Sequence, residues 1–178
     1  MELLRKASPP TAAFFSRLNG PLPARIEFYE KSGPFYEFSN FFEDYPIVIG
    51  SAQWRTSEHF FQAAKFMAYP DKMDEVRRLP TPRDAFNYVR DPRNSPFVRR
   101  DWDTVKDNVM LNALRAKFGQ NERLATILLS THNAFLVEHT TNDSYWGDGG
   151  GSGQNKLGQL LMQVRDELRP SFLPSESS

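Results

Sequence analysis

Apolar and polar positions along the chain follow two alternating periods. Arg25–Tyr29 alternates as a half-buried strand does. Pro46–Ile49 is a short apolar strand, Gly50-Ser51 turns, and Gln53-Trp54 reads as the return strand of a hairpin. From Thr56 the period becomes helical. Thr56 suits an N-cap, because its hydroxyl can accept an amide hydrogen of the first turn. The helix it opens ends before Pro70. Asp71–Leu79 predicts a short helix, with Met73, Val76 and Leu79 on one face, and Thr81-Pro82 starts another running to about Val89. Arg90–Arg100 is a loop stiffened by Pro92 and Pro96. Asp101 or Asp103 then caps a long helix to Phe118, whose inner stripe is Val105, Val109, Met110, Ala113 and Leu114 and which Gly119 closes. Asn121–Ser130 is a further helix, Leu136–Glu138 a short strand, and Asn155 the cap of a last helix to about Leu168. These elements predict an α+β fold, predominantly helical with one small β-sheet. Residues 1–24 read as a partly irregular N-terminal arm, 25–169 as the folded domain and 170–178 as a C-terminal tail.

The stretch Gln53–Met67 breaks the ordinary pattern. Phe60, Phe61, Ala63, Ala64, Phe66 and Met67 make its helix apolar over most of the circumference, which marks a buried helix. At ~100° per residue, Glu58, Gln62 and Lys65 fall within roughly 60° of one another. A carboxylate and an ammonium on a buried helix cost free energy unless they are paired or used. This stripe is the first candidate for chemistry, with a structural ion pair in the core as the alternative.

Composition narrows the possibilities. The 178 residues suffice for one domain with a real core, and 39% hydrophobic with 25% charged residues is a globular balance. Lys plus Arg equals Asp plus Glu, so no global field favours nucleic acid, although Arg83, Arg90, Arg93, Arg99 and Arg100 form a local basic run. By default that run is a solvated face; its functional alternative is phosphate contact. The absence of cysteine excludes thiolate metal sites, a thiol nucleophile and disulfides. No apolar run reaches the ~18 residues of a membrane span, and the first twenty residues lack the apolar core of a secretory signal. The expected setting is cytoplasmic, with the nucleus as an alternative and no membrane partner.

A second informative stretch is Asn142–Gly158. Five of the ten glycines lie between Gly147 and Gly153, and the loop opens into a helix N-terminus, which suits close approach of backbone to an anionic ligand. It lacks the Gly-Lys-Ser/Thr ending of a Walker loop. Asp143, Tyr145, Trp146 and Asp148 beside the glycines supply the carboxylates and rings of a base-and-sugar site. A flexible connector is the structural alternative. Metal binding is unsupported: His59, His132 and His139 stand in no ligand pattern, and His59 reads as a packing or capping residue. No nucleophile elbow supports Ser-His-Asp catalysis. Trp102, between Asp101 and Asp103, is either a helix-start core aromatic or a ligand contact.

Five blocks stand out in order: Glu37-Phe-Ser-Asn-Phe41, Thr56-Ser-Glu-His-Phe-Phe-Gln-Ala-Ala-Lys-Phe66, Arg99-Arg-Asp-Trp102, Ala116-Lys-Phe118, and Asn142-Asp-Ser-Tyr-Trp-Gly-Asp148 with Asn155-Lys-Leu-Gly158 and Leu161-Met162. Together they resemble the NADAR family, which includes the YbiA-like proteins. The similarity spans about Arg25 to Leu168 with the blocks in order. It implies a YbiA-like/NADAR fold and an N-glycosidase that splits a bond between ribose C1 and nitrogen. The implied substrates are ADP-ribose on guanine of DNA or RNA, or phosphorylated aminouracil intermediates of riboflavin biosynthesis. Neither cofactor nor metal is implied. By position, the resemblance assigns catalytic roles to Glu58, Lys65, Trp102 and Asp143. It places Asn40, Trp146, Gly147 and Asn155 against ligand, and Phe41, Gln62, Asp148 and Arg99 complete the expected binding set. Two departures stand out. Val89-Arg90 replaces the family's Gly-Arg, and Arg90–Trp102 is one residue longer than the usual pattern.

Ribose–nitrogen cleavage builds positive charge on C1 and the ring oxygen, so it calls for a carboxylate near the sugar and a proton donor near the leaving base. Glu58, in the first helical turn, suits charge stabilisation or water activation. Asp143 suits ribose-hydroxyl binding or acid–base work. Lys65 has three candidate roles: phosphate binding, neutralising Glu58, or adding to the opened sugar as a Schiff-base amine, for which burial would lower its pKa. Trp102 and Trp146 would stack on a base. A non-catalytic ADP-ribose or NAD reader would use the same loop and tryptophans.

Overall fold

The structure of the protein is a computed structural model that describes residues 23–172. In chain order the elements are β1 (Arg25–Phe28), β2 (Ile47–Ile49), β3 (Ala52–Trp54), α1 (Ser57–Ala63), α2 (Pro70–Arg78), α3 (Pro82–Arg90), α4 (Trp102–Gly119), α5 (Glu122–Leu129), β4 (Phe135–Glu138) and α6 (Lys156–Phe172). Single 3-10 turns cover Tyr36–Phe38, Ala64–Phe66 and Ser95–Phe97. The fold is α+β and mainly helical, as the periodicity predicts. Its few strands fall into two pairs. β2 and β3 form the antiparallel hairpin, and β1 and β4 pair in parallel, with Phe28 opposite Glu138. A parallel pair needs a long crossover, and here α1 to α5 and the β2–β3 hairpin intervene between the two strands.

Local signals set most helix starts. The hydroxyls of Thr56 and Thr81 accept from the amides of His59 and Asp84, and the Asn121 side chain accepts from Leu124. The α4 start differs, because Asp101 makes no side-chain cap bond. Its carboxylate is instead paired with Arg99. The buried helix opened by Thr56 is shorter than its apolar run: α-helical bonding stops at Ala63 and a tighter 3-10 turn carries Lys65. At the other end, α6 continues past the expected boundary to Phe172 and takes Pro170 into its last turns. The expected N-terminal arm falls outside the described residues up to position 22, as does the tail from 173.

α1 lies at the centre, against α2, α3 and α4, while α6 packs on α4, α5 and β4. Phe38, Phe66, Phe118, Leu114 and Leu128 are wholly buried in the core between them. The α6–β4 contact is close enough to require glycine. A Cβ on Gly158 would stand 2.1 Å from the Leu136 carbonyl and 2.5 Å from the Asn155 side chain. Gly158→Ala therefore has to move backbone, and overpacking of this kind costs about 1–3 kcal/mol. Urea unfolding should show a lowered midpoint at unchanged slope; an unchanged midpoint would mean that α6 and β4 part easily.

Candidate active site

A cavity of about 550 Å³ opens beside α1, within the ~300–1,000 Å³ range of ligand pockets. Its walls bring together eight of the residues expected from sequence: Asn40, Phe41, Glu58, Gln62, Lys65, Trp102, Asp143 and Trp146. The polar stripe of α1 is a relay. The Gln62 amide donates to Glu58 at 2.6 Å and accepts from the Lys65 ammonium at 2.8 Å. Since an ammonium only donates, the amide must turn its oxygen to Lys65 and its NH2 to Glu58. One amide thus separates the two charges, and no direct ion pair joins them among the described residues. Burial raises the Glu58 pKa, against the opposing pull of Gln62 and Lys65. This outweighs the helix-start effect expected to favour its ionised form. Burial likewise lowers the Lys65 amine to about 8, although the Glu58 charge opposes it. Lys65 stands 5.1 Å from the Trp102 ring centre and 5.4 Å from that of Phe61. The adjoining cavity is what a purely structural core pair would lack.

Aromatic rings form two groups on the walls. Phe61 packs edge-on against both Trp102 and Trp146, and Tyr145 against Trp146. Phe41 and Phe86 form the other pair, with the guanidinium of Arg83 over both rings and that of Arg90 over Phe86. Asn40 is fixed from two sides: its side chain accepts from Ser57 and its carbonyl accepts from the Glu58 amide. Buried Lys117 donates to the Ser39 carbonyl at 2.7 Å and so holds the same loop. Asp143 Oδ1 accepts from the amides of Tyr145 and Trp146, a turn that aims the Trp146 ring.

Four expected ligand contacts lie elsewhere. Arg99 pairs with Asp101 through two bonds on an exposed face. Asp148 is taken up by His139, Arg25 and the amides of Thr140 and Gly150. Burial raises its pKa, but His139 and the two amides outweigh it and hold the carboxyl below its usual range. Gly147 is a packing glycine, since a Cβ there would meet Thr140 at 2.6 Å and the Glu138 carbonyl at 2.9 Å. Asn155 is no side-chain cap. At φ 51° its amide bridges to β4 instead, accepting from the Glu138 amide and donating to the Leu136 carbonyl. Gly147, Asp148 and Asn155 build the loop, and none of the four residues lines the cavity. His59 is structural as expected, bonded to Thr56 and Leu79 and wholly buried.

Sequence reasoning missed Glu138, Lys106, Phe86 and Tyr29 in the lining. The arginine run held a usable signal: Arg83, Phe86 and Arg90 recur at helical spacing on α3 and face the cavity together. Among the described residues no cluster of three or more His, Asp or Glu is arranged to hold a metal. No helix among them is long and apolar enough to cross a membrane.

The NADAR domain model matches residues 27–169. The chain is 49% identical over 144 residues to the N-glycosidase YbiA of Escherichia coli, covering 80% of this chain and 88% of that protein. The NMR structure of E. coli YbiA superposes with a TM-score of 0.75 at 42% identity, covering 87% of this chain and 98% of that one. A riboflavin biosynthesis protein of Vibrio vulnificus is 39% identical over 147 residues, which is 81% of this chain and 38% of the longer relative.

The relay makes a specific electrostatic prediction. Because the Glu58 charge is what holds the Lys65 pKa up, Glu58→Gln should move the Lys65 amine below about 8. NMR titration of the ε-carbon of Lys65 measures this; an upward shift would contradict the arrangement.

Proposed function

The chain belongs to the NADAR family, and on that premise we propose that it hydrolyses the ribose C1–N bond of ADP-ribose attached to guanine in nucleic acid. As a family member it is an enzyme, a hydrolase of N-glycosyl bonds. The observation that carries the choice of substrate is the doubling of the cavity's recognition groups. Two aromatic groups suit two bases, and Arg83 and Arg90 suit the phosphates between them. Both arginines lack a carboxylate ion pair among the described residues, unlike Arg77, Arg93, Arg99 and Arg115.

In this reading Glu58 stabilises the positive charge that develops at C1. Lys65 is close enough to neutrality at physiological pH to supply a free amine. Guanine is attached through its exocyclic amino group, so the sugar can open to an imine. The Lys65 amine then replaces guanine at C1, and water hydrolyses the lysine imine to release ADP-ribose and restore the amine. Asp143 binds a ribose hydroxyl through its second oxygen, while Trp102 and Trp146 stack on a base.

A second reading is favoured by the Vibrio relative, which is named for riboflavin biosynthesis. A phosphorylated aminouracil riboside has one base and one phosphate, and it would use the same C1 chemistry with half of the recognition groups.

Incubation with DNA carrying ADP-ribose on guanine, and separately with aminouracil riboside phosphates, decides between them. Release of free ADP-ribose is expected, and turnover of the aminouracil compound alone would transfer the assignment to the second reading. Glu58→Gln should lower kcat by about 10²–10⁴-fold in a folded protein. Borohydride added during turnover should trap an adduct on Lys65; its absence, with turnover intact, would remove the imine step.

A further inference from the structure

Glu138 is a cavity carboxyl that the relay does not use. It ends β4, and its backbone is held at both polar atoms. Its amide donates to Asn155 at 3.0 Å, and its carbonyl accepts from the Asp148 amide at 3.0 Å. Its side chain lines the cavity with Glu58 and Asp143, and among the described residues the carboxyl has neither a hydrogen-bond partner nor an ion pair. The groups that face it are Glu58 from α1 and Asp143 and Asp148 from the glycine loop. Cations reach the same cavity as Lys65, Arg83, Arg90 and Lys106, from the 3-10 turn, α3 and α4, and Tyr29 stands at the end of β1. Burial first, and then the three carboxylates, push Glu138 up to about 8. A carboxyl in these surroundings keeps its proton at neutral pH.

We propose that Glu138 is the general acid of the reaction, donating its proton to the nitrogen of the departing base. This rests on the reading of the site as a ribose C1–N hydrolase and adds to it the group that lets the base leave. As the C1–N bond breaks, its electron pair stays on nitrogen, and that nitrogen takes the proton from Glu138. Lys65 then holds C1 as its protonated imine; water adds to C1, the proton it loses returns to the Glu138 carboxylate, and collapse of the adduct restores the Lys65 amine, so the cycle closes with one water consumed. Asp143 is the poorer donor, because its Oδ1 is committed as an acceptor to two amides. The division of labour between the two glutamates follows from their partners. Glu58 accepts from Gln62 and is coupled to Lys65, which suits an anion. Glu138 has no such partner, and the charges that act on it most are the carboxylates of Asp143, Glu58 and Asp148.

The test is the pH profile of kcat/KM on whichever N-linked substrate the wild type turns over. A required acid gives a limb that descends as pH rises through about 8. Lys65 titrates in the same region with the opposite sign, since the free amine appears as pH rises. Glu138→Gln should lower kcat/KM by about 10²–10⁴-fold and abolish the descending limb, whereas Glu138→Asp should keep a limb at reduced rate. On a p-nitrophenyl glycoside of the same sugar phosphate, whose leaving group departs without a proton, Glu138→Gln should lose less than about tenfold. A descending limb that persists in Glu138→Gln, or a loss on the N-linked substrate below tenfold, overturns the proposal and leaves the hydrolase reading standing. A wild type that turns over no N-linked substrate overturns both.

Discussion

The structure is organised by the burial of a carboxylate and an ammonium on one helix without direct contact between them. Pairing Glu58 and Lys65 directly would have neutralised both and left neither available. Isolating them would have cost several kcal/mol for each ion. The Gln62 amide is the intermediate solution: it satisfies one hydrogen bond of each group and transmits part of their attraction. The result is a carboxyl raised and an amine lowered relative to their ordinary values, which is the condition for acid–base and nucleophilic work near neutral pH. The 3-10 turn at Ala64–Phe66 contributes by setting where Lys65 leaves the helix. The Arg99 amide fixes the Lys65 carbonyl at 2.8 Å, tying that turn to the start of α4 and so to Trp102.

The glycine loop has a different role from the one its composition suggests. Gly147 and Gly158 serve close packing of backbone on backbone, and Asn155 clamps the loop onto β4. With the loop held there, Asp143, Tyr145 and Trp146 line the cavity, and the Trp146 ring packs edge-on against Phe61 of α1. The loop is therefore a rigid frame for its side chains. This explains why Asp148, which looks like a ligand contact, is used instead to tie His139, Thr140 and Gly150 together.

What could be read from the sequence was what is decided locally. Thr56 and Thr81 cap the helices they precede, and the β2–β3 hairpin forms across a two-residue turn, because each depends on neighbours a few positions away. The stripe Glu58, Gln62 and Lys65 was legible for the same reason. Asn155 was misread as a cap because its partners lie 17 and 19 positions earlier on β4. Arg99 looked available until Asp101, two residues on, took both of its bonds. Glu138 carried no local signal. A glutamate at the end of Phe135–Glu138 is an ordinary strand terminus until β1 pairs beside it and three other carboxylates arrive from elsewhere in the chain. Long-range pairing created its chemistry, and no periodicity encodes that.

The separation of elements has a consequence for specificity. The groups suited to C1 chemistry come from α1, β4 and the start of the glycine loop. The guanidinium groups suited to recognition come from α3, together with the Phe86 ring, while the other rings come from the Asn40–Phe41 loop, α1, the start of α4 and the glycine loop. α3 contacts α1 but contributes no acid or base to the relay, so its exposed face can vary while the relay stays intact. Val89-Arg90 and the Arg90–Trp102 segment, where the resemblance leads one to expect departures from the family pattern, adjoin this α3 side. Arg90 is itself a cavity residue whose guanidinium lies 3.3 Å from the Phe86 ring centre, and its charge is felt at Glu58 and at Lys65. A change at the end of α3 therefore alters the charge felt by both members of the buried pair, so the wall that α3 forms and the titration of the relay are not independent.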